Sequence, residues 1–228
     1  MYFSRIRRRI ENDPSQVHLK MQSGNIGEEH KFIWDLFPHD KDAERDFLFR
    51  RFDADGFQQF FVLSKRRPVE SLDRWEIACK PYEPKLEVGT RLYFNLRANP
   101  VVTKMSEGTT SKKRKREDVF MDALAKNRAV PEADRASREE VLNTSATSWL
   151  VNRAEQNGFS VSRESVFVEG YQRFEIAKRK NNNKIQIGVV DFSGMLTVTN
   201  VGLFYKTLNQ GIGKSRAFGC GLMMIKKA

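Results

Sequence analysis

Apolar positions along the chain change period several times, and the changes mark out its elements. Residues 1 to 9 alternate well enough to predict a first strand, which "NDPSQ" (Asn12 to Gln16) interrupts. Ile26, His30, Ile33, Trp34 and Phe37 then recur at three- and four-residue spacing until Pro38, which predicts a helix. A second helix is expected from about Asp42 to Phe49, a strand over Phe57 to Pro68, a short helix over "VESLDRW" and a strand over Glu76 to Tyr82. Thr90 to Val102 reads as a further strand. A polar, charged insert from about Thr103 to Thr144 follows it and is expected to be solvated and partly mobile.

Beyond the insert, Ser145 is the expected cap of a helix running to Asn157, with Gly158 just past its end. Glu164 to Asn200 predicts a long hairpin with Asn181 to Asn183 at its tip, and then another strand. A helix over about Val201 to Gln210 precedes a glycine-rich stretch, and "GCGLMMIKK" closes the chain as a strand. Read by element order, both halves fit β-α-β-β-α-β. The fold class is therefore α+β, with two tandem ferredoxin-like (RRM-like) domains, 1–88 and 89–228.

Charge narrows the partner. The 228 residues carry 40 Lys plus Arg against 29 Asp plus Glu, a net charge of +11, which suits a phosphate-bearing partner and favours nucleic acid. A basic membrane-surface protein would need an amphipathic basic helix or a lipidation signal, and neither is evident; "MYFSRIRRRI" lacks the apolar core of a signal peptide. The two cysteines, Cys79 and Cys220, are far apart and form no CxxC pair, which suggests neither a zinc site nor a disulfide framework and fits a cytoplasmic protein.

The glycine-rich stretch "GIGKSRAFGCG" (Gly211 to Gly221) contains GKS, but a Walker loop requires glycine at position 208, which is Leu208, and a strand before the loop rather than a helix. The dinucleotide pattern GxGxxG fails at Arg216. What remains is a helix-to-strand loop with Lys214, Ser215 and Arg216 between glycines. Gly211 by itself reads as a helix C-cap, whereas Gly211, Gly213, Gly219 and Gly221 together with two cations read as a place where phosphates meet backbone amides.

These residues carry a resemblance. "QGIGKSRAFGCGLM", with "MYFSRI", "WDLFP", "RDFLFR" and "LYFNLRANP" in that order, resembles the CasE branch of CRISPR precursor-RNA endoribonucleases, within the repeat-associated RNA-binding superfamily. The resemblance implies an enzyme that cuts the repeat RNA at the base of its stem-loop, by attack of a ribose 2′-hydroxyl on the adjacent phosphate. It implies no metal or other cofactor, a 2′,3′-cyclic phosphate and a 5′-hydroxyl as products, and retention of the hairpin in a Cascade-like complex with other effector subunits.

Such chemistry asks for a proton acceptor and donor near neutrality, and histidine suits both. The chain has three histidines. His30, four residues before Trp34, stands where the resemblance implies the catalytic histidine; from the residues alone it reads as the packed edge of an amphipathic helix. His18 and His39 match no motif. The family commonly carries a tyrosine one helical turn earlier, where this chain has Gly27. Lys31, adjacent to His30, or Lys20 is then the candidate positive group. The departure at Gly27 leaves open an alternative, a catalytically weak or inactive subunit that binds the RNA hairpin.

The hairpin is the second basic element. Arg173, Lys178, Arg179, Lys180 and Lys184 are candidates to contact phosphates of both strands of an RNA stem, as the resemblance implies for this arm; Lys-rich protection of an exposed edge is the other reading. "KKRKR" (Lys112 to Arg116) reads as a solvated run or an auxiliary RNA contact rather than a nuclear localisation signal, and Tyr2 and Phe3 as core aromatics.

Overall fold

The computed structural model describes residues 1–8, 26–38, 44–53, 58–70, 75–105, 114–177 and 184–228. Asn12 to Gln16, His18, Lys20, His39, residues 71–74 of the short helix expected over Val69 to Trp75, Lys112, Lys113, Lys178 to Lys180 and the tip Asn181 to Asn183 lie outside the described residues, and Trp75 itself opens a strand.

The first half is built from β1 (Tyr2–Arg8), α1 (Ile26–Trp34), β2 (Phe47–Arg51), β3 (Gln59–Ser64) and β4 (Trp75–Pro81). Their antiparallel sheet has the order β2-β3-β1-β4, in which sequence-distant strands lie side by side, the ferredoxin-like arrangement. The helix expected over Asp42 to Phe49 is corrected by β2. The run Phe47, Leu48, Phe49, Arg50 is buried throughout, because this strand packs on both of its faces, and such a run carries no period that separates strand from helix. Phe47 and Phe49 join Ile33, Leu36 and Phe60 in the core beneath α1, while Leu48 turns the other way and meets Leu222 and Leu63.

The second half contributes β5 (Arg91–Ala98), β6 (Val101–Met105), β7 (Arg114–Asp118), α2 (Val119–Arg128), α3 (Arg138–Ala154), β8 (Phe159–Ser160), β9 (Val166–Ala177), β10 (Lys184–Val198), α4 (Val201–Gln210) and β11 (Met223–Lys227). Its sheet runs β11-β5-β10, and β9 and β8 both pair with the outer edge of β10 as one interrupted strand, which repeats the ferredoxin-like order. The chain is thus α+β with two tandem ferredoxin-like folds.

Four expectations for this half are revised. Thr90 to Val102 is two strands, because Asn99 and Pro100 end β5 and the chain re-enters a separate ribbon, β6 with β7. Much of the insert is ordered, since its charges compensate one another: Lys104 bonds Glu117 and Asp122, and Lys126 bonds Asp122. Its few apolar residues, Phe120, Leu124 and Val141, form a small core of their own. The helix before Gly158 begins at Ser137 rather than Ser145. Ser137 and Glu140 form a reciprocal capping box, whereas Ser145 lies inside the helix and donates to the Val141 carbonyl at 2.6 Å. The second arm of the hairpin and the strand expected after it are one continuous strand, β10. No helix among the described residues is long and apolar enough to cross a membrane, and both cysteines are unpaired.

Candidate active site

Helix α1 opens with Glu28 and Glu29 in its first turn, where acidic side chains complement the helix dipole. Glu29 is buried and held by Arg51 of β2 at 2.9 Å. Burial raises its pKa and the Arg51 contact partly offsets this. Ile33, fully buried, anchors the helix to the sheet. His30 is left half-buried on the same helix, its ring 6.3 Å from Trp34, 6.0 Å from Phe47 and 6.4 Å from Phe49 between centroids. Its Nε2 finds no hydrogen-bond partner among the described residues. Burial first, and the charge of Arg45 second, lower its pKa below the ordinary 6.5, which favours a neutral imidazole at neutral pH. Lys31 is exposed beside it.

The glycine-rich loop arrives at this helix from the second half. Gly211, at φ 76°, caps α4 through its N–H to the Thr207 carbonyl at 2.8 Å; an added Cβ would come within 2.8 Å of the Gly221 carbonyl. Ile212 N–H donates to Gly221 O at 3.0 Å, and Gly221 N–H to Arg97 O at 2.7 Å. The loop therefore closes on itself and is tied to β5. The amides of Gly211 and Gly221 are engaged within the fold, so these two glycines serve the loop's shape. Gly213 lies against Trp149, Gly219 near Phe49, and Lys214 forms an isolated bridge with Asn99 while its side chain is exposed. Ser215, in the left-handed region at φ 58°, donates from Oγ to Asn99 Oδ1 at 3.1 Å.

After Ser215 the chain makes a 3-10 turn over Arg216–Phe218, and this turn packs against α1. The guanidinium of Arg216 donates from Nη2 to Gly211 O at 3.0 Å, and its buried Nε has no partner. Burial lowers the Arg216 pKa. His30, Lys31 and the Arg216 turn, distant in sequence, are thus brought to one place, with Arg45 as a fourth member. Beside them is a cleft that Glu29, Arg50, Arg97, Asp191 and Phe218 help to line. In it Asp191 bridges Arg97 at 2.7 Å and Arg50 at 3.2 Å, joining the two sheets.

Of the hairpin candidates, Arg173 faces elsewhere, and Lys178 to Lys180 lie outside the described residues. Arg173 on β9 is exposed and bonds Gln186 across the ladder, in a different cleft shared with Lys115, Arg116 and Tyr171. Lys184 begins β10. Sequence reasoning missed Arg45, Arg50, Arg97 and Asp191. Arg45 had a usable signal: read as a strand, "RDFLF" puts Arg45, Phe47 and Phe49 on one face. Among the described residues no group of three His, Cys, Asp or Glu is placed to hold a metal ion.

The family model for CRISPR associated protein matches residues 1–227. Over 199 residues the chain is 31% identical to the CRISPR system Cascade subunit CasE of Escherichia coli K12, covering 86% of this chain and 89% of that one. The chain is a CasE-type CRISPR-associated protein. Solved structures agree on the fold of this CasE-type chain. Thermus thermophilus Cse3 bound to an RNA representing a pre-cleavage complex superposes with a TM-score of 0.65 at 22% identity, covering 99% of this chain and 98% of that one. E. coli K-12 Cas6e does so with 0.58 at 24% identity over all of both chains.

Proposed function

We propose that this CasE-type protein is an endoribonuclease that processes CRISPR precursor RNA in the cytoplasm and then stays on the product hairpin as a subunit of a Cascade-like complex. One observation carries the reading: a half-buried imidazole with an unpartnered nitrogen, on α1, beside the arginine-bearing turn of the glycine-rich loop. Relatives named as a Cascade subunit and as an endoribonuclease support it. Residues 1–88 then supply the acid–base group, and residues 89–228 supply the loop and the arm.

In the reaction, His30 accepts the proton of the ribose 2′-hydroxyl as the O2′–P bond forms. The P–O5′ bond breaks, the 5′ oxygen takes a proton from water, and His30 returns its proton to solvent; the ends left are a 2′,3′-cyclic phosphate and a 5′-hydroxyl. Lys31, Lys214 and Arg216 hold the backbone around the cut. Arg173, with Lys178, Arg179, Lys180 and Lys184, follows the stem. Because burial and Arg45 depress the His30 pKa, the base is neutral at and below ordinary neutrality, and the rate falls with acid only below pH 6.5, in step with imidazole protonation.

The burial of Nε2 together with Gly27 favours one second reading, a hairpin-binding subunit without cleavage. Single-turnover cleavage of the cognate repeat RNA in EDTA separates the two. The His30→Ala protein is expected to cut about 10²- to 10⁴-fold more slowly than the parent while binding the RNA. An equal rate removes His30 from the chemistry, and tight binding without any cleavage by the parent makes the protein a structural subunit.

A further inference from the structure

The positive charge around His30 comes from separate elements, and neither Arg45 nor Arg216 forms an ion pair among the described residues. Arg45 stands two residues before Phe47; Lys65 N–H donates to Asp46 O at 3.1 Å, which carries the β2–β3 pairing back past Phe47, and alternation continued one residue further puts Arg45 on the face of β2 with Phe47 and Phe49, the two rings against His30. Asp46, which alternation turns to the opposite face, is taken up by Arg66 at 2.9 Å. Among the described residues Arg45 has no carboxylate partner, and it is exposed. Arg216 reaches the same place from the glycine-rich turn, tied to Gly211 O through Nη2 and with Nε buried and unpaired. The other charged groups about His30 are Glu29 on its own helix, bound by Arg51 of β2, Glu28 and Lys31 on the same helix, both exposed, and Glu44, exposed next to Arg45 in the chain.

Two guanidiniums beside a half-buried imidazole repel one another. Partial burial, and then the charge of Arg216, lower the pKa of Arg45, and Arg45 in turn disfavours the imidazolium of His30. An arrangement that costs stability in the empty protein is relieved by an anion between the charges. The guanidinium fork fits two oxygens of one phosphate, and the dianionic transition state of the transfer carries more charge than the diester.

We propose that Arg45 and Arg216 form a two-guanidinium clamp on the scissile phosphate, with Arg45 a catalytic residue that the Gly27 helix uses where the family resemblance led to a tyrosine. The clamp rests on the reading of His30 given above. Its test therefore has an arm that needs no cleavage. In the full-length protein, the His30 imidazole is followed by NMR while inorganic phosphate is added. In the parent, phosphate binds and raises the His30 midpoint. Arg45→Gln raises the midpoint without phosphate and weakens phosphate binding about tenfold, and Arg45→Lys, with charge but no fork, restores it in part.

With repeat RNA under single-turnover conditions, Arg45→Gln slows cleavage at saturating RNA about 100-fold, with RNA affinity nearly unchanged. A thermal melt checks that Arg45→Gln, a change at an exposed side chain, leaves the fold intact, so the proposal does not depend on Arg216 variants that disturb the loop. If Arg45→Gln leaves both the His30 midpoint and phosphate affinity as in the parent, the clamp is wrong. If it weakens RNA binding while the saturated rate stays the same, Arg45 is an ordinary backbone contact and the proposal is equally overturned. A parent that binds phosphate through Arg45 yet cuts no RNA keeps the clamp and removes the nuclease reading.

Discussion

The neighbourhood of α1 and the ribbon-and-arm region of the second half are both rich in cations, and they use them in opposite ways. Around the β6–β7 ribbon and β9–β10, Lys104 pairs with Glu117 and Asp122, Lys126 with Asp122, Lys115 reaches Glu117 at 3.5 Å, and Arg173 has Gln186; the cations Lys115, Lys126 and Arg173 lie largely in water. Around α1 the charges are fewer, partly desolvated and unbalanced: Arg216 keeps an unpaired buried nitrogen, and Asp191 alone serves both Arg50, at 4% side-chain exposure, and Arg97. Desolvation, rather than the number of lysines and arginines, distinguishes the two places. Exposed pairs contribute at most about 1 kcal/mol each, whereas an unpartnered buried charge is costly enough to demand a ligand or a reason.

The comparison is tested most strongly where the burial is deepest. Asp191→Asn removes the ion-pair partner of both Arg50 and Arg97 between the sheets, leaving only the more distant Glu169 and Glu29 of the same cleft, and is expected to destabilise the protein by about 3 kcal/mol, read by denaturant unfolding; a loss below about 1 kcal/mol would mean that water or these carboxylates already screen the cleft. Gly211→Ala comes next. It forces a side chain at φ 76° towards the Gly221 carbonyl and Leu48, which should cost about 2 kcal/mol of stability and loosen the turn that faces α1. On the exposed side, Lys126→Ala removes an i,i+4 pair with Asp122 and should change stability by about 0.5 kcal/mol or less. Arg173→Ala should leave stability untouched. It should lower the slope of log affinity against log salt for the RNA hairpin by about 0.7 to 0.9, and an unchanged slope would take β9 out of the interface.

How much was legible beforehand follows the same division. α4 was readable to the residue, because its apolar stripe is bracketed by Asn200 as N-cap and Gly211 as C-cap, both local signals. The hairpin was readable because its two long strands flank a polar tip. β2 was misread: Phe47 and Phe49 pack on α1 while Leu48 packs on the second half, and burial from two sides erases the periodicity that reveals a strand. The start of α3 was missed although its S-x-x-E capping box is a local signal, because Ser145 offered a competing cap eight residues beyond Ser137.

For the site, His30 and the glycine stretch could be singled out from residue types, spacing and resemblance. That Gly211 and Gly221 use their amides on Thr207 and Arg97 could not, since those partners are set by how the loop folds back on β5. Nor could the electrostatic influence of Arg216 on Arg45, whose positions are 171 residues apart in the chain, be read from either neighbourhood. Local hydrogen bonding and side-chain period, which act over a few residues, settled most of the elements from the sequence, though not β2 or the start of α3, and composition settled the basic character of the chain, while His30 was singled out by resemblance. Which cations lose water and which keep it was decided only when two sheets packed face to face, because desolvation belongs to a whole neighbourhood and no short stretch of chain encodes it.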